Sequence, residues 1–143
     1  MRIKEFLKRI IYLNNTPREI ALGVAIGVFI GILPLYGLHT ILVVVFALIV
    51  RQSNKIAILL GTNISLPPTL PFITWAGYNT GRLILSKDYP ALSWTMFEHF
   101  SYKNTATLYY PLFIGSLVLG LSCAFISYFL TYQIVLHRQK KLR

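Results

Sequence analysis

The stretch GTNISLPPTLPF, Gly61 to Phe72, constrains this chain more than any other. It lies inside Ile56 to Gly81, a run without a formal charge, and sets Pro67, Pro68 and Pro71 among Thr62, Asn63, Ser65 and Thr69. Proline lacks a backbone donor and its ring clashes with the preceding turn, so no straight helix continues through such a sequence. An apolar segment that breaks its backbone here must find partners for the freed N–H and C=O groups in protein, in ligand or in a watery cavity.

Composition identifies the solvent that surrounds the break. The 143 residues are 55% hydrophobic and 13% charged, well above and well below the usual soluble values. Mean hydropathy is +0.61. Ile20 to Val50 and Asn104 to His137 carry no formal charge either, and each exceeds the roughly 20 residues that cross a bilayer. These runs predict an all-α integral membrane protein in a single membrane domain.

The net charge of +10 does not read as a nucleic-acid surface. The bases flank the apolar runs: Arg2, Lys4, Lys8, Arg9 and Arg18 before the first, Arg51 and Lys55 after it, Arg138, Lys140, Lys141 and Arg143 after the last. Juxtamembrane bases follow the positive-inside rule and attract anionic lipid head groups. The expected partners are therefore the bilayer and those head groups, with no nucleic acid. Apolar residues continue past any plausible signal cleavage site, so the N-terminal region reads as a retained anchor. Cys123 is the single cysteine and forms no intrachain disulfide.

In chain order, residues 1–15 read as a surface helix. Ile3, Phe6, Leu7 and Ile10 share one face and Lys4, Lys8 and Arg9 lie away from it. The alternative is a helix packed on its own protein. The TPRE motif then restarts the chain, Thr16 and Glu19 forming a capping box with Pro17 at the first helical position. Gly23, Gly27 and Gly31 recur every four residues and make a close-approach stripe, for helix packing or for a ligand-lined groove. A straight helix from Ile20 to Val50 would extend about 46 Å against roughly 30 Å of hydrocarbon. Pro34 and Gly37 resolve the excess by breaking residues 16–55 into two short arms, a re-entrant hairpin with His39 and Thr40 beyond its tip.

Residues 56–82 form a second broken segment, and 83–107 an interfacial loop with Trp94, Phe97, Phe100 and Tyr102. Residues 108–137 form one long transmembrane helix in which Gly115 and Gly120 are packing positions. Charge places the N-terminus, Arg51/Lys55 and the C-terminus on the cytoplasmic side if the first segment re-enters and the second crosses. Three simple spans would put the termini on opposite faces with one strongly basic end outside, and two re-entrant segments would leave the C-terminal bases outside.

No constellation supports catalysis. Asp88 and Glu98 are far apart in one loop, and His39, His99 and His137 lack metal-ligand spacing. No cofactor, metal or catalytic residue is expected. Paired Pro/Gly interruptions are instead the pointer to a transporter site at mid-membrane. The candidate pathway residues are Pro34, Tyr36, Gly37, His39, Thr40, Asn63, Ser65, Pro67, Pro68 and Thr69, with Arg51 and Arg82 drawing an anion. The competing expectation is a non-transporting scaffold or partner subunit. Small-residue stripes and exposed breaks further suggest a homo-oligomer.

The segments TPREIALGVAIGVFIGILPLYGLHT, ALIVRQSNKIAILLGT and LPPTLPF…YNTGRLIL, residues 16 to about 85, resemble a bacterial membrane family, "domain of unknown function 2062". That resemblance implies a small multi-pass protein of the bacterial inner (cytoplasmic) membrane. Where the family often has Asn-Pro-x-Thr, this chain reads Leu66, Pro67, Pro68, Thr69. The paired-hairpin architecture is also similar to DedA-like lipid-carrier transporters, which makes a lipid phosphate one expected substrate.

Overall fold

The computed structural model describes residues 5, 15–35, 37–62, 68–86, 88–91 and 102–142. Residues 1–13 (apart from Glu5), Tyr36, Asn63, Ser65, Pro67 and residues 92–101 lie outside that set, so the expected surface helix and part of both breaks are not described. Among the described residues the chain is all-helical. The elements are α1 (Pro17–Ile32), α2 (His39–Ile49), α3 (Lys55–Thr62), α4 (Leu70–Leu85) and α5 (Tyr102–Leu142).

α1 begins as TPRE predicts. The Glu19 N–H donates to Thr16 Oγ1 at 3.3 Å, and Glu19 Oε2 accepts from the Thr16 N–H at 3.0 Å. It ends before Pro34, whose ring excludes the helical conformation at the residue ahead of it, and Leu33 is extended at ψ 132°. Leu38 N–H then donates to Leu35 O at 3.0 Å. Gly37 closes that turn at φ +88°, in the left-handed region where glycine alone carries no Cβ penalty. α2 leaves in the opposite direction.

The five residues after α2 return the chain to the start of α1. Asn54 N–H donates to Glu19 O at 3.0 Å, tying the two ends of the hairpin together. Asn54 Oδ1 accepts from the N–H groups of Ile56 at 2.9 Å and Ala57 at 3.2 Å, which caps α3. α3 runs parallel to α1: Gly23 lies against Asn54 and Ala57, and four residues on Gly27 lies against Ile58 and Gly61. A Cβ on Gly27 would fall within contact of Ile58 O and 2.7 Å from Gly61 Cα, so the two backbones touch.

α4 starts beyond the proline-rich break, with Pro71 in the first turn where a missing N–H costs nothing. It crosses α5 as closely as α1 crosses α3. Gly77 meets Ser116, while Gly81 meets the Pro111 carbonyl and Gly115. Position rises along α4 as it falls along α5, so these two are antiparallel.

α1 and α5 are antiparallel too. Ile20 shares a core cluster with Val135, Gly120 faces Phe29 and Ile32, and Tyr109 Oη donates to Pro34 O at 3.2 Å. It follows that α1, α3 and α4 all point one way and α5 the other. α5 spans 41 residues, longer at both ends than the apolar run alone predicts. Gln139, Lys140 and Lys141 are good helix formers, and the lysines suit the negative end of the helix dipole.

Two kinds of glycine should behave differently on substitution. Gly27→Ala and Gly81→Ala would push backbone against backbone and should cost about 2–3 kcal/mol, as overpacking does. Gly37→Ala meets no atom within 4 Å and should cost only the left-handed penalty of about 1–2 kcal/mol. Thermal unfolding of the purified variants in detergent checks the order.

Candidate functional site: the groove between α2 and α3

Both helices that flank the groove are short and apolar, and α2 has no buried residue at all. Leu48 is 65% and Ile49 72% exposed. Apolar area left exposed gains none of the roughly 25 cal/mol per Å² that burial supplies, so an apolar neighbour on this face would stabilise the helix. Between α2 and α3 lies a half-open cavity of about 390 Å³. Val43, Val44, Ala47, Leu48 and Leu59 make its walls; Lys55 stands at one end and His39, Thr40 and Thr62 at the other. Thr62 Oγ1 donates to Leu59 O at 2.7 Å.

The arrangement brings together residues from both predicted interruptions. His39 and Thr40 follow the first break, and Thr62 is the last helical residue before the second. Pro34 is buried and held by Tyr109 away from the groove, while Gly37 is exposed at the turn. Pro68 and Thr69 are exposed just ahead of α4. Arg51 is exposed in the turn after α2, and Arg82 sits at the far end of α4, so the two arginines do not meet at one site.

The glycine stripes have definite neighbours. Gly23 and Gly27 face α3, Gly31 is buried in α1, Gly115 faces α4 and Gly120 faces α1. Sequence reasoning passed over Gly61, Gly77 and Gly81, although Ala57/Gly61 and Gly77/Gly81 carry the same four-residue spacing. It also left Lys55 and Thr62 out of the site. No local signal tells which base ends beside a groove.

Apart from Arg82, the basic residues whose side chains are described converge. Asn15 O accepts from Gln139 Nε2 at 2.8 Å, so the start of α1 and the end of α5 are adjacent. With Asn54 bonded to Glu19, the turn carrying Arg51 and Lys55 joins them. Arg18, Arg51, Lys55, Arg138, Lys140 and Lys141 therefore occupy one end of the molecule. The opposite end is tied by Tyr109 to Pro34 and by Tyr78, whose Oη donates to Pro90 O at 2.7 Å. Among the described residues no three His, Cys, Asp or Glu side chains converge to hold a metal ion.

One helix among the described residues, Thr107–Lys141, is long and apolar enough to cross a membrane. Only 17% of its most apolar window is buried, the reverse of what the core helix of a soluble protein shows. Among the described residues, fold and site thus define a small helical protein with one long apolar helix, a hint of membrane association. The chain belongs to the bacterial family described as "Uncharacterized protein conserved in bacteria (DUF2062)", which matches residues 1–143 and so extends well beyond the motifs that first suggest it. Comparison with curated proteins and with solved structures gives no match.

The Asn54 cap holds the groove's basic end in place. Asn54→Ala should destabilise the fold by about 1–2 kcal/mol, and Asn54→Asp, which keeps an acceptor, by much less. Denaturant or thermal midpoints of the two variants separate the outcomes.

Proposed function

We propose that the protein is a multi-pass transport protein of the bacterial inner membrane that carries an anionic, partly apolar substrate. In this reading α1 and α2 are a re-entrant hairpin. At about 24 and 17 Å, each is shorter than the roughly 30 Å hydrocarbon core. α3 and α4 form one discontinuous crossing, pointing the same way with the proline break between them, and α5 crosses back. The shared end of Arg18, Arg51, Lys55 and the C-terminal bases then faces the cytoplasm.

The observation that carries the reading is the groove, which opens beside an unburied apolar helix and joins polar groups next to both breaks. Discontinuous segments of this kind place freed backbone groups where a substrate needs partners. Side-chain chemistry elsewhere supports an apolar surround. Ser122 Oγ donates to Val118 O at 2.9 Å and Asn79 Nδ2 to Trp75 O at 3.0 Å, so polar side chains satisfy themselves on their own helices.

A scaffold without transport is the second reading, and the tight glycine crossings favour it as far as rigidity goes. Assembly into oligomers would need other surface, since the glycines facing α3, α4 and α5 are occupied within one chain.

Thiol accessibility separates the readings. With Cys123→Ser as background, Thr69→Cys should react with a membrane-impermeant reagent if the break opens to a watery cavity. A sealed, unreactive Thr69→Cys beside a reactive loop cysteine would favour the scaffold. Under transport, Arg51→Gln should also reduce flux of the anion about fivefold, the worth of one near-surface cation.

A further inference from the structure

The geometry points to the groove between α2 and α3 as a binding site for an anionic phospholipid, with its phosphate at Lys55 and the upper part of one acyl chain along the apolar walls. The inference rests on the membrane-embedded reading and names the ligand class of its groove.

Shape comes first. A cavity of about 390 Å³ falls within the roughly 300–1,000 Å³ range of ligand sites. Its walls between Thr40 and Leu48 are apolar, over a length of about 12 Å along the helix. A small inorganic anion would gain nothing from Val43, Val44, Ala47 and Leu59, whereas an acyl chain is matched to them. The groove is half-open, and it is continuous with the exposed Ile41, Val45 and Ile49 side chains of α2, the surface that faces lipid when the hairpin is embedded.

Charge gives the orientation. Lys55 is exposed at the end of the groove that belongs to the basic end of the molecule. Among the described residues no carboxylate pairs with it. Glu19, whose backbone carbonyl accepts from the Asn54 N–H, already takes the Thr16 N–H on its carboxylate in the cap of α1. The Ile56 and Ala57 N–H groups are taken by Asn54 Oδ1, so the Lys55 ammonium is the charged group this end of the groove offers an anion. Arg51 lies in the adjoining turn and reinforces the potential. A phosphate there sits at head-group depth on the cytoplasmic side, where the positive-inside rule puts such bases.

The test uses the full chain purified in detergent and incubated with equal amounts of phosphatidylglycerol and phosphatidylcholine. Retained lipid is counted by native mass spectrometry. The wild type should keep phosphatidylglycerol about fivefold over phosphatidylcholine, the preference one near-surface cation confers. Lys55→Gln should bring that ratio close to one with total lipid little changed. Ala47→Trp fills the groove and should lose both lipids. Arg138→Gln removes a cation from the same end but outside the groove, and it should leave the ratio intact.

Equal retention of the two lipids by wild type would overturn the inference. So would a loss of preference in Arg138→Gln as large as in Lys55→Gln, which would mark diffuse attraction to a basic surface. Helical content and monodispersity of Ala47→Trp guard against misfolding, and Lys55→Gln stands alone if that variant fails. Reactivity of Thr69→Cys is independent of lipid retention, so failure here leaves the transport reading to its own experiment.

Discussion

Contact between backbones organises this molecule. Gly27 lies against Gly61, and Gly81 against Gly115 and the Pro111 carbonyl, at distances no Cβ would allow. In water, helices come together to hide apolar surface. In lipid that drive vanishes, and close packing of small residues has to supply the association. Each crossing fixes a direction as well as a distance. α3 is set parallel to α1 and α4 antiparallel to α5, so the order of the two glycine contacts determines how the broken second segment runs.

From those crossings follows the placement of the groove. α1 is held on one side by α3 and on the other by α5, and half of its residues are buried. α2 is left outside, tied at its two ends by the Gly37 turn and by the Asn54–Glu19 bond. A short apolar helix so placed cannot collapse onto the core, because α3 already occupies the face of α1 that carries Gly23 and Gly27. The space between α2 and α3 remains as a cavity whose polar residues sit at its two ends.

The same ties sort the charges. Asn15 to Gln139 and Asn54 to Glu19 bring three separate basic stretches to one end, while Tyr109 to Pro34 and Tyr78 to Pro90 secure the other. Like charges so close repel one another, and that repulsion is relieved by anions at the same end. Lys55 is the member of that cluster that also reaches the groove, which couples the electrostatic asymmetry of the whole chain to one candidate site.

How much of this was legible beforehand differs by kind of interaction. The sequence alone determined the local events: the Thr16–Glu19 cap, the end of α1 before Pro34, the turn at Gly37 and the existence of a long apolar final helix. Each depends on backbone sterics or on hydrogen bonds within four residues, which composition and spacing report directly. Sequence spacing also exposed the stripes of α1 and α5, but not their partners Gly61, Gly77 and Gly81, since a small residue is equally complementary to any other. Tertiary structure decided that Gly27 pairs with Gly61 and Gly81 with Gly115, that His39, Thr40, Thr62 and Lys55 line one cavity, and that Arg51 and Arg82 lie apart. Those outcomes depend on three-dimensional register between segments distant in the chain, and no local propensity encodes that register.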